Sequence, residues 1–277
     1  MFYGQASVDV IIPTYNETNR LARAVNSVLA QSIPIQKIII IDDGSSDSTL
    51  TFLREESAKN EQVHLIELEH CGHPGIVRKA GLRLATAEWV AFLDADDVWL
   101  FDKTEKQLKR AAETDADAVY GNAIKVEKAM AEQFQPGDEI PHFATSSNLL
   151  KRNFIVNSSV IARRSAITSI GLYADAPGVR GAEDYATWLR LVSNHKCVGI
   201  VDPVVEYHVM SSSLSRNAPV SARRQAISDW MNWILSSSRP AHEKIRSLWL
   251  GAAAILGEQR NITSLSIRAW LRKHSNP

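Results

Sequence analysis

Asp94, Asp96 and Asp97 crowd into one short segment, Asp94-Ala95-Asp96-Asp97, between an apolar run and Val98-Trp99. Carboxylates this close repel one another unless a cation neutralises them. A hard divalent cation such as Mn²⁺ or Mg²⁺ takes oxygen ligands and commonly bridges to phosphates. The segment therefore reads as a metal–diphosphate site, or else as a solvated turn with a helix-capping aspartate. A second acidic pair, Asp42-Asp43, precedes Gly44-Ser45. An aspartate there can accept from the imide N–H of uracil or from ribose hydroxyls. Its bland alternative is a strand-to-helix turn, which Asp, Gly and Ser favour in any case.

The elements that must position these groups follow from hydrophobic periodicity. Val8–Ile12 is an apolar run closed by Pro13 and reads as a buried strand. Leu21, Ala24, Val25, Val28 and Leu29 then recur at helical spacing between Glu17 and Gln31, with Thr18 or Asn19 as caps. Lys37–Ile41 is a second strand, ending at Asp42-Asp43. Ser48–Lys59 reads as helix, Val63–Leu68 as strand, Gly75–Ala85 as helix, and Trp89–Leu93 as a strand ending at Asp94. This alternation predicts a mostly parallel sheet with helices on both faces. Right-handed crossovers put the strand C-termini along one edge, where ligands of such sheets bind. Both acidic clusters fall on that edge. Further on, Gln133–Ser147 reads as a surface loop or marginal helix, Phe154–Ile161 as a strand and Asp184–Val192 as a helix. From Pro219 the chain turns helical, with an apolar stripe at Ile227, Trp230, Met231, Ile234 and Leu235.

The bulk composition narrows the class. A chain of 277 residues suits one large domain, or one domain with a small appendage. Formal net charge is zero, so no global charge argues for nucleic acid as a partner. Cys71 and Cys197 are the only cysteines, and no basic-then-apolar leader opens the sequence, which reads as cytoplasmic. No apolar stretch approaches the roughly 20 residues of a membrane span. His70, Cys71 and His73 suggest zinc only weakly, because no second ligand cluster follows. No Gly-x-Gly-x-x-Gly follows the first strand, which argues against a nicotinamide dehydrogenase.

Five segments, in order, resemble the family-2 glycosyltransferases of GT-A fold. They are Val10-Ile11-Ile12-Pro13-Thr14-Tyr15-Asn16-Glu17, Ile41-Asp42-Asp43-Gly44-Ser45-Ser46-Asp47, and Gly72 through Gly81. Glu88 through Trp99 and Gly181-Ala182-Glu183-Asp184-Tyr185, running on to Leu191, complete the set. The resemblance implies a Rossmann-like, mostly parallel central sheet with flanking helices. It implies a catalytic domain over 1–218, with a nucleotide-sugar half at about 1–100 and an acceptor half at about 101–218. A helical extension would occupy 219–277. By the same resemblance Pro13, Thr14, Tyr15, Glu17, Asp42, Asp43, Arg78, Asp94, Ala95 and Asp96 bind the nucleotide-sugar. Tyr15 would lie near uracil, Asp43 on the base and Asp42 beside it. Asp96 and Asp94 would hold Mn²⁺ or Mg²⁺, Asp184 would act as the base of an inverting transfer, and Glu183 would help place the acceptor. The partners implied are a UDP-sugar donor and a glycan or lipid-linked saccharide acceptor in surface polysaccharide synthesis. Two positions depart from the family pattern. Lys79 stands where the family usually has Asn, and Met210 where a late motif often carries His, with His208 the nearest substitute.

Weaker features remain open. Trp188 reads as core or as the border of a sugar site, and Asn157, Ser158 and Ser159 as acceptor contacts or local backbone partners. The segment after Pro219 carries nine basic residues, Arg223, Arg224, Arg239, Lys244, Arg246, Arg260, Arg268, Arg272 and Lys273, against Asp229, Glu243 and Glu258, and holds Trp230, Trp233, Trp249 and Trp270. Such a segment can lie peripherally on the inner face of an anionic membrane, cover the catalytic domain, or form a homodimer. The same residues admit two rivals to the transferase. A haloacid-dehalogenase-like phosphohydrolase would use Asp94 as nucleophile and Asp96 as acid, but leaves Asp42-Asp43 unexplained. A non-catalytic nucleotide-sugar module would leave the Glu183-Asp184 pair without a role.

Overall fold

The structure is a computed structural model that describes residues 6–127, 130–132, 140–208 and 220–257. Its first half repeats a strand–helix unit: β1 (Val8–Thr14), α1 (Thr18–Leu29), β2 (Lys37–Asp42), α2 (Thr49–Lys59), β3 (Val63–Glu67), α3 (Pro74–Leu84) and β4 (Trp89–Phe92). The second half is less regular: β5 (Val98–Trp99), α4 (Lys103–Thr114), β6 (Ala118–Glu127), β7 (Met130–Glu132), α5 (Ser146–Lys151), β8 (Ile161–Arg163), α6 (Arg164–Ser169), α7 (Glu183–Asn194), β9 (Cys197–His208), α8 (Val220–Ser236) and α9 (Ala241–Gly257).

The described strands form one nine-stranded sheet in the order β3-β2-β1-β4-β8-β6-β9-β5, with β7 beside β6. β1, β2, β3 and β4 pair in parallel, as the alternation predicts. From β8 onward antiparallel pairings enter, although β6 and β9 run parallel. Alternate residues of the central strands face opposite sides. Ile11, Ile39, Ile41 and Phe92 pack under α3, α6, α7 and α8, while Val10, Ile12, Ile38 and Ile40 pack under α1 and α4. Both faces are covered, which is why these strands read as unbroken β-branched runs rather than as polar–apolar alternation.

This topology makes the site. The chain steps outward from β1 to β2 to β3, then returns to pair β4 on the other side of β1. The strand order therefore reverses between β1 and β4, and a crevice opens at their C-terminal ends. Thr14 pairs with Asp42 and Ile11 with Phe92, so Pro13, Asp43 and Asp94 emerge side by side.

Phe154–Ile161 is not the strand its apolar residues predict. The segment is irregular, with a 3-10 turn at Asn157–Ser159, and only Ile161–Arg163 joins the sheet. Ser159 bonds its hydroxyl to the Val156 carbonyl at 2.7 Å, and the Asn157 and Ser158 side chains are drawn to aspartates instead. Short polar side chains that bond locally compete with a strand ladder. The end of Gln133–Ser147 is helical, since α5 starts at Ser146 under a capping box between Thr145 and Asn148; 133–139 lie outside the described residues. In α8, Ile227, Trp230 and Ile234 of the expected stripe are buried against α7 and Met231 partly so, while Leu235 is exposed. Arg260, Arg268, Trp270, Arg272, Lys273 and Met210 lie outside the described residues. No described helix is long and apolar enough to cross a membrane.

Candidate active site

A cleft of about 890 Å³ lies along the C-terminal edge of β1 and β4. Its lining includes Pro13, Thr14, Tyr15, Glu17, Asp43, Arg78, Asp94, Ala95, Asp96, Glu183 and Asp184. Of the residues expected to bind the nucleotide-sugar or metal or to act in catalysis, Asp42 alone stands behind the wall. It is buried and holds the following turn, accepting from the Ser45 amide at 2.9 Å and the Ser45 hydroxyl at 2.5 Å.

Asp43 holds one end of the cleft. Its two carboxylate oxygens accept from the amides of Cys71 and Gly72, each at 2.9 Å. The ring of His70 reaches the Asp43 carbonyl at 2.8 Å and stacks on Tyr15 with centroids 4.2 Å apart. A flat, half-exposed aromatic surface thus flanks Asp43. Glu17 pairs with Arg20 at 2.6 Å at the start of α1. His70, Cys71 and His73 do not converge on a common point. His73 instead caps α3, accepting from the Gly75 amide at 3.2 Å.

At the centre Arg78, on α3, is buried between two carboxylates. Nη2 lies 2.5 Å from Asp94 Oδ1 and Nη1 lies 3.1 Å from Glu183 Oε1. Burial opposes its charge, but Asp94 and Glu183 outweigh that and hold its pKa above the usual guanidinium value. The same Asp94 oxygen accepts from Asn157 Nδ2 at 2.7 Å, and Asn157 accepts from the Tyr173 hydroxyl at 2.8 Å. Arg78 ties the β4 end to the start of α7, where Glu183 lies 105 residues after Arg78. Glu183 is therefore occupied with Arg78 and with the Gly181 amide, at 2.6 Å.

The three aspartates of the β4–β5 loop have separated fates. Asp97 is buried and structural: it accepts from the Ser158 hydroxyl at 2.5 Å and the His208 amide at 3.0 Å, and burial, then Asp96 and Asp94, push its pKa well up. Asp96 points into the cleft and takes no side-chain hydrogen bond from another described residue. Burial and then the Asp94 charge push its pKa up to about 6. Among the described residues no three His, Cys, Asp or Glu side chains gather to hold an ion. Asp94 and Asp96 nevertheless line the same cleft, and Asp96 is uncommitted among the described residues. That hard-oxygen set suits Mg²⁺ or Mn²⁺ completed by phosphate oxygens and water.

Asp184 opens α7 and remains partly exposed to the cleft. Burial and then Glu183 push its pKa up to about 7, with Arg78 acting in the opposite direction. One of its oxygens accepts from the Tyr185 amide at 2.7 Å. Trp188, one turn on, is buried against Phe92 and Tyr173 and is core. Lys79 turns away to Asp175, at 2.7 Å. His208 meets Glu206 at 3.7 Å and is not part of the cleft lining. His70 and Arg180 line the cleft and Tyr173 packs behind it on Asn157, none of them expected in a nucleotide-sugar site from the sequence. Arg180, four residues before Asp184, carried the plainest positional signal.

A doubly wound sheet whose switch-point cleft gathers Asp43, Asp94, Asp96 and a Glu–Asp helix start is a glycosyltransferase of GT-A fold. The chain belongs to the family described as Glycosyl transferase family 2, which matches residues 9–168. It is 32% identical over 222 residues to a protein of Bacillus subtilis (strain 168) described as the teichuronic acid biosynthesis glycosyltransferase TuaG, covering 78% of this chain and 84% of that one. It is 27% identical over 221 residues to the UDP-Glc:alpha-D-GlcNAc-diphosphoundecaprenol beta-1,3-glucosyltransferase WfgD of Escherichia coli, covering 79% and 83%. Its fold matches S. aureus TarS 1-349 in complex with UDP-GlcNAc, with a TM-score of 0.73 at 18% identity over 96% of this chain and 79% of that one. The dehalogenase-like alternative falls with the family assignment.

Proposed function

We propose that this chain transfers a sugar from a UDP-sugar, with inversion, to a glycan or lipid-linked saccharide in the assembly of a surface polysaccharide. The observation that carries the reading is Asp184: a partly exposed carboxyl, pushed up to about 7, in the same cleft as Asp94 and Asp96. A general base works best with a pKa near the operating pH. Relatives named for teichuronic acid synthesis and for a lipid-diphosphate-linked acceptor support the acceptor class.

In this reading Pro13, Thr14, Tyr15 and Glu17 wall the nucleoside end, and Asp43 takes the uracil edge while holding the Cys71–Gly72 backbone. Asp42 keeps that turn in shape. Asp96, with Asp94, holds Mn²⁺ or Mg²⁺, which when bound offsets charge on the departing diphosphate. Ala95 leaves room between them. Asp184 takes the proton from the acceptor hydroxyl as that oxygen attacks the anomeric carbon opposite the diphosphate. An α-linked donor then gives a β-linked product. Arg78 and Glu183 act as positioning residues that fix Asp94 against α7. Exposed Leu235, Ile245, Trp249 and Leu256, beside Lys244 and Arg246, support peripheral contact with an anionic bilayer, with a homodimer as the competing use of that face.

The test is a panel of nucleotide-sugars with Mn²⁺, reading UDP release with and without saccharide acceptors. One donor class should release UDP in an acceptor-dependent manner. Phosphate-ester hydrolysis with no sugar acceptor, or UDP binding with no turnover on any pair, would refute the reading.

A further inference from the structure

Arg180 lies in the loop between the Pro177–Val179 turn and α7 and lines the cleft. The residue is exposed and shares no hydrogen bond or ion pair with another described residue. Its guanidinium crosses the cleft rather than returning to its own loop. A Cβ added at Gly72 would stand 3.3 Å from Arg180 Nη2 and 3.5 Å from His70 Nε2. The cation therefore hangs from the acceptor-side loop over the nucleotide side, where the Gly72 amide bonds Asp43 at 2.9 Å.

Charge decides what such a group can do. The nucleotide side of the cleft is walled by the carboxylates of Glu17, Asp43, Asp94 and Asp96. A nucleoside diphosphate, itself multiply anionic, is repelled by such a wall, so a cationic side-chain partner would add to what a metal at Asp94 and Asp96 offsets. Arg78 is no such partner, because both terminal nitrogens are already spent on Asp94 and Glu183. A guanidinium offers paired N–H donors that match phosphate oxygens, and those of Arg180 are uncommitted among the described residues.

We infer that Arg180 binds the diphosphate of the nucleotide donor. This rests on the nucleotide-sugar reading above. Gly181 follows with φ +84, a backbone state that favours glycine and gives the loop a sharp turn into α7. The Gly181 amide bonds Glu183 at 2.6 Å. Phosphate held by Arg180 is thus held by the same short segment that carries Asp184.

The experiment is calorimetric titration of the full chain with UDP and with uridine, in Mn²⁺, for wild type, Arg180→Ala and Arg180→Lys. Arg180→Ala should weaken UDP by at least about 10-fold while leaving uridine within about twofold. Arg180→Lys should recover part of the loss, since it keeps the charge without the fork. Melting curves should superimpose, because the side chain has no described partner to lose. Unchanged UDP affinity in Arg180→Ala overturns the inference, and so does an equal loss for uridine, which would put the contact on the nucleoside. A wild type that binds no UDP overturns the nucleotide-sugar reading and this inference with it.

Discussion

Replacing Asp96 with asparagine should make the metal-free protein more stable while removing its metal-dependent UDP binding. The Asp96 carboxyl is pushed from 3.8 up to about 6, first by burial and then by Asp94. Ionising it in the folded state therefore opposes folding, by about 3 kcal/mol on linkage grounds. Because the folded pKa is raised, this penalty is absent below about pH 4, where the carboxyl is protonated in both states, and is complete once pH has risen through about 6. Solvent at the cleft screens part of it, so a neutral isostere should gain about 1–3 kcal/mol at pH 8. For a chain of this size that is a rise in Tm of roughly 2–10 °C. The gain should shrink to about a third at pH 4.5, where the wild-type carboxyl is already largely protonated. The assay is thermal melting in EDTA at both pH values, repeated with Mn²⁺ at pH 8. Mn²⁺ should raise the wild-type Tm and leave the variant unmoved. An Asp96→Asn protein that melts lower than wild type at pH 8, or gains equally at both pH values, would refute the reasoning.

Asp184→Asn should keep UDP affinity and lose transfer by about 10²- to 10⁴-fold, measured as acceptor-dependent UDP release. The wild-type kcat/KM should fall on the acid side of about pH 7, as the Asp184 carboxyl takes up the proton it must lack to act as base, and the residual activity of Asp184→Asn should not show that limb. Gly75→Ala should destabilise the fold by about 1–3 kcal/mol in urea unfolding, because the added Cβ would meet the Ala174 carbonyl oxygen at 2.1 Å. Its first-turn position on α3 means that Arg78 would shift as well.

The β1–β4 half was legible from the sequence. Its strands are runs such as Ile38–Ile41 that only a sheet covered on both faces can bury, and Asp42-Asp43 and Asp94-Asp96 follow such runs directly. Periodicity and turn chemistry are local properties, so the edge carrying both acidic clusters could be located without coordinates. The role of each aspartate could not. Asp94, Asp96 and Asp97 share one loop, and what separates them is contact across the chain: Arg78 and Asn157 on the first, Ser158 and the His208 amide on the third, none on the second. Distant approach also turned Phe154–Ile161 from an expected strand into a scaffold of side chains, spent Glu183 and Arg78 on each other, and sent Lys79 to Asp175. Desolvation and charge coupling depend on which groups folding brings within a few ångströms, and adjacency in sequence does not encode that. The Asp184 carboxyl is pushed up to about 7 first by burial, which only tertiary structure supplies, and then by its sequence neighbour Glu183.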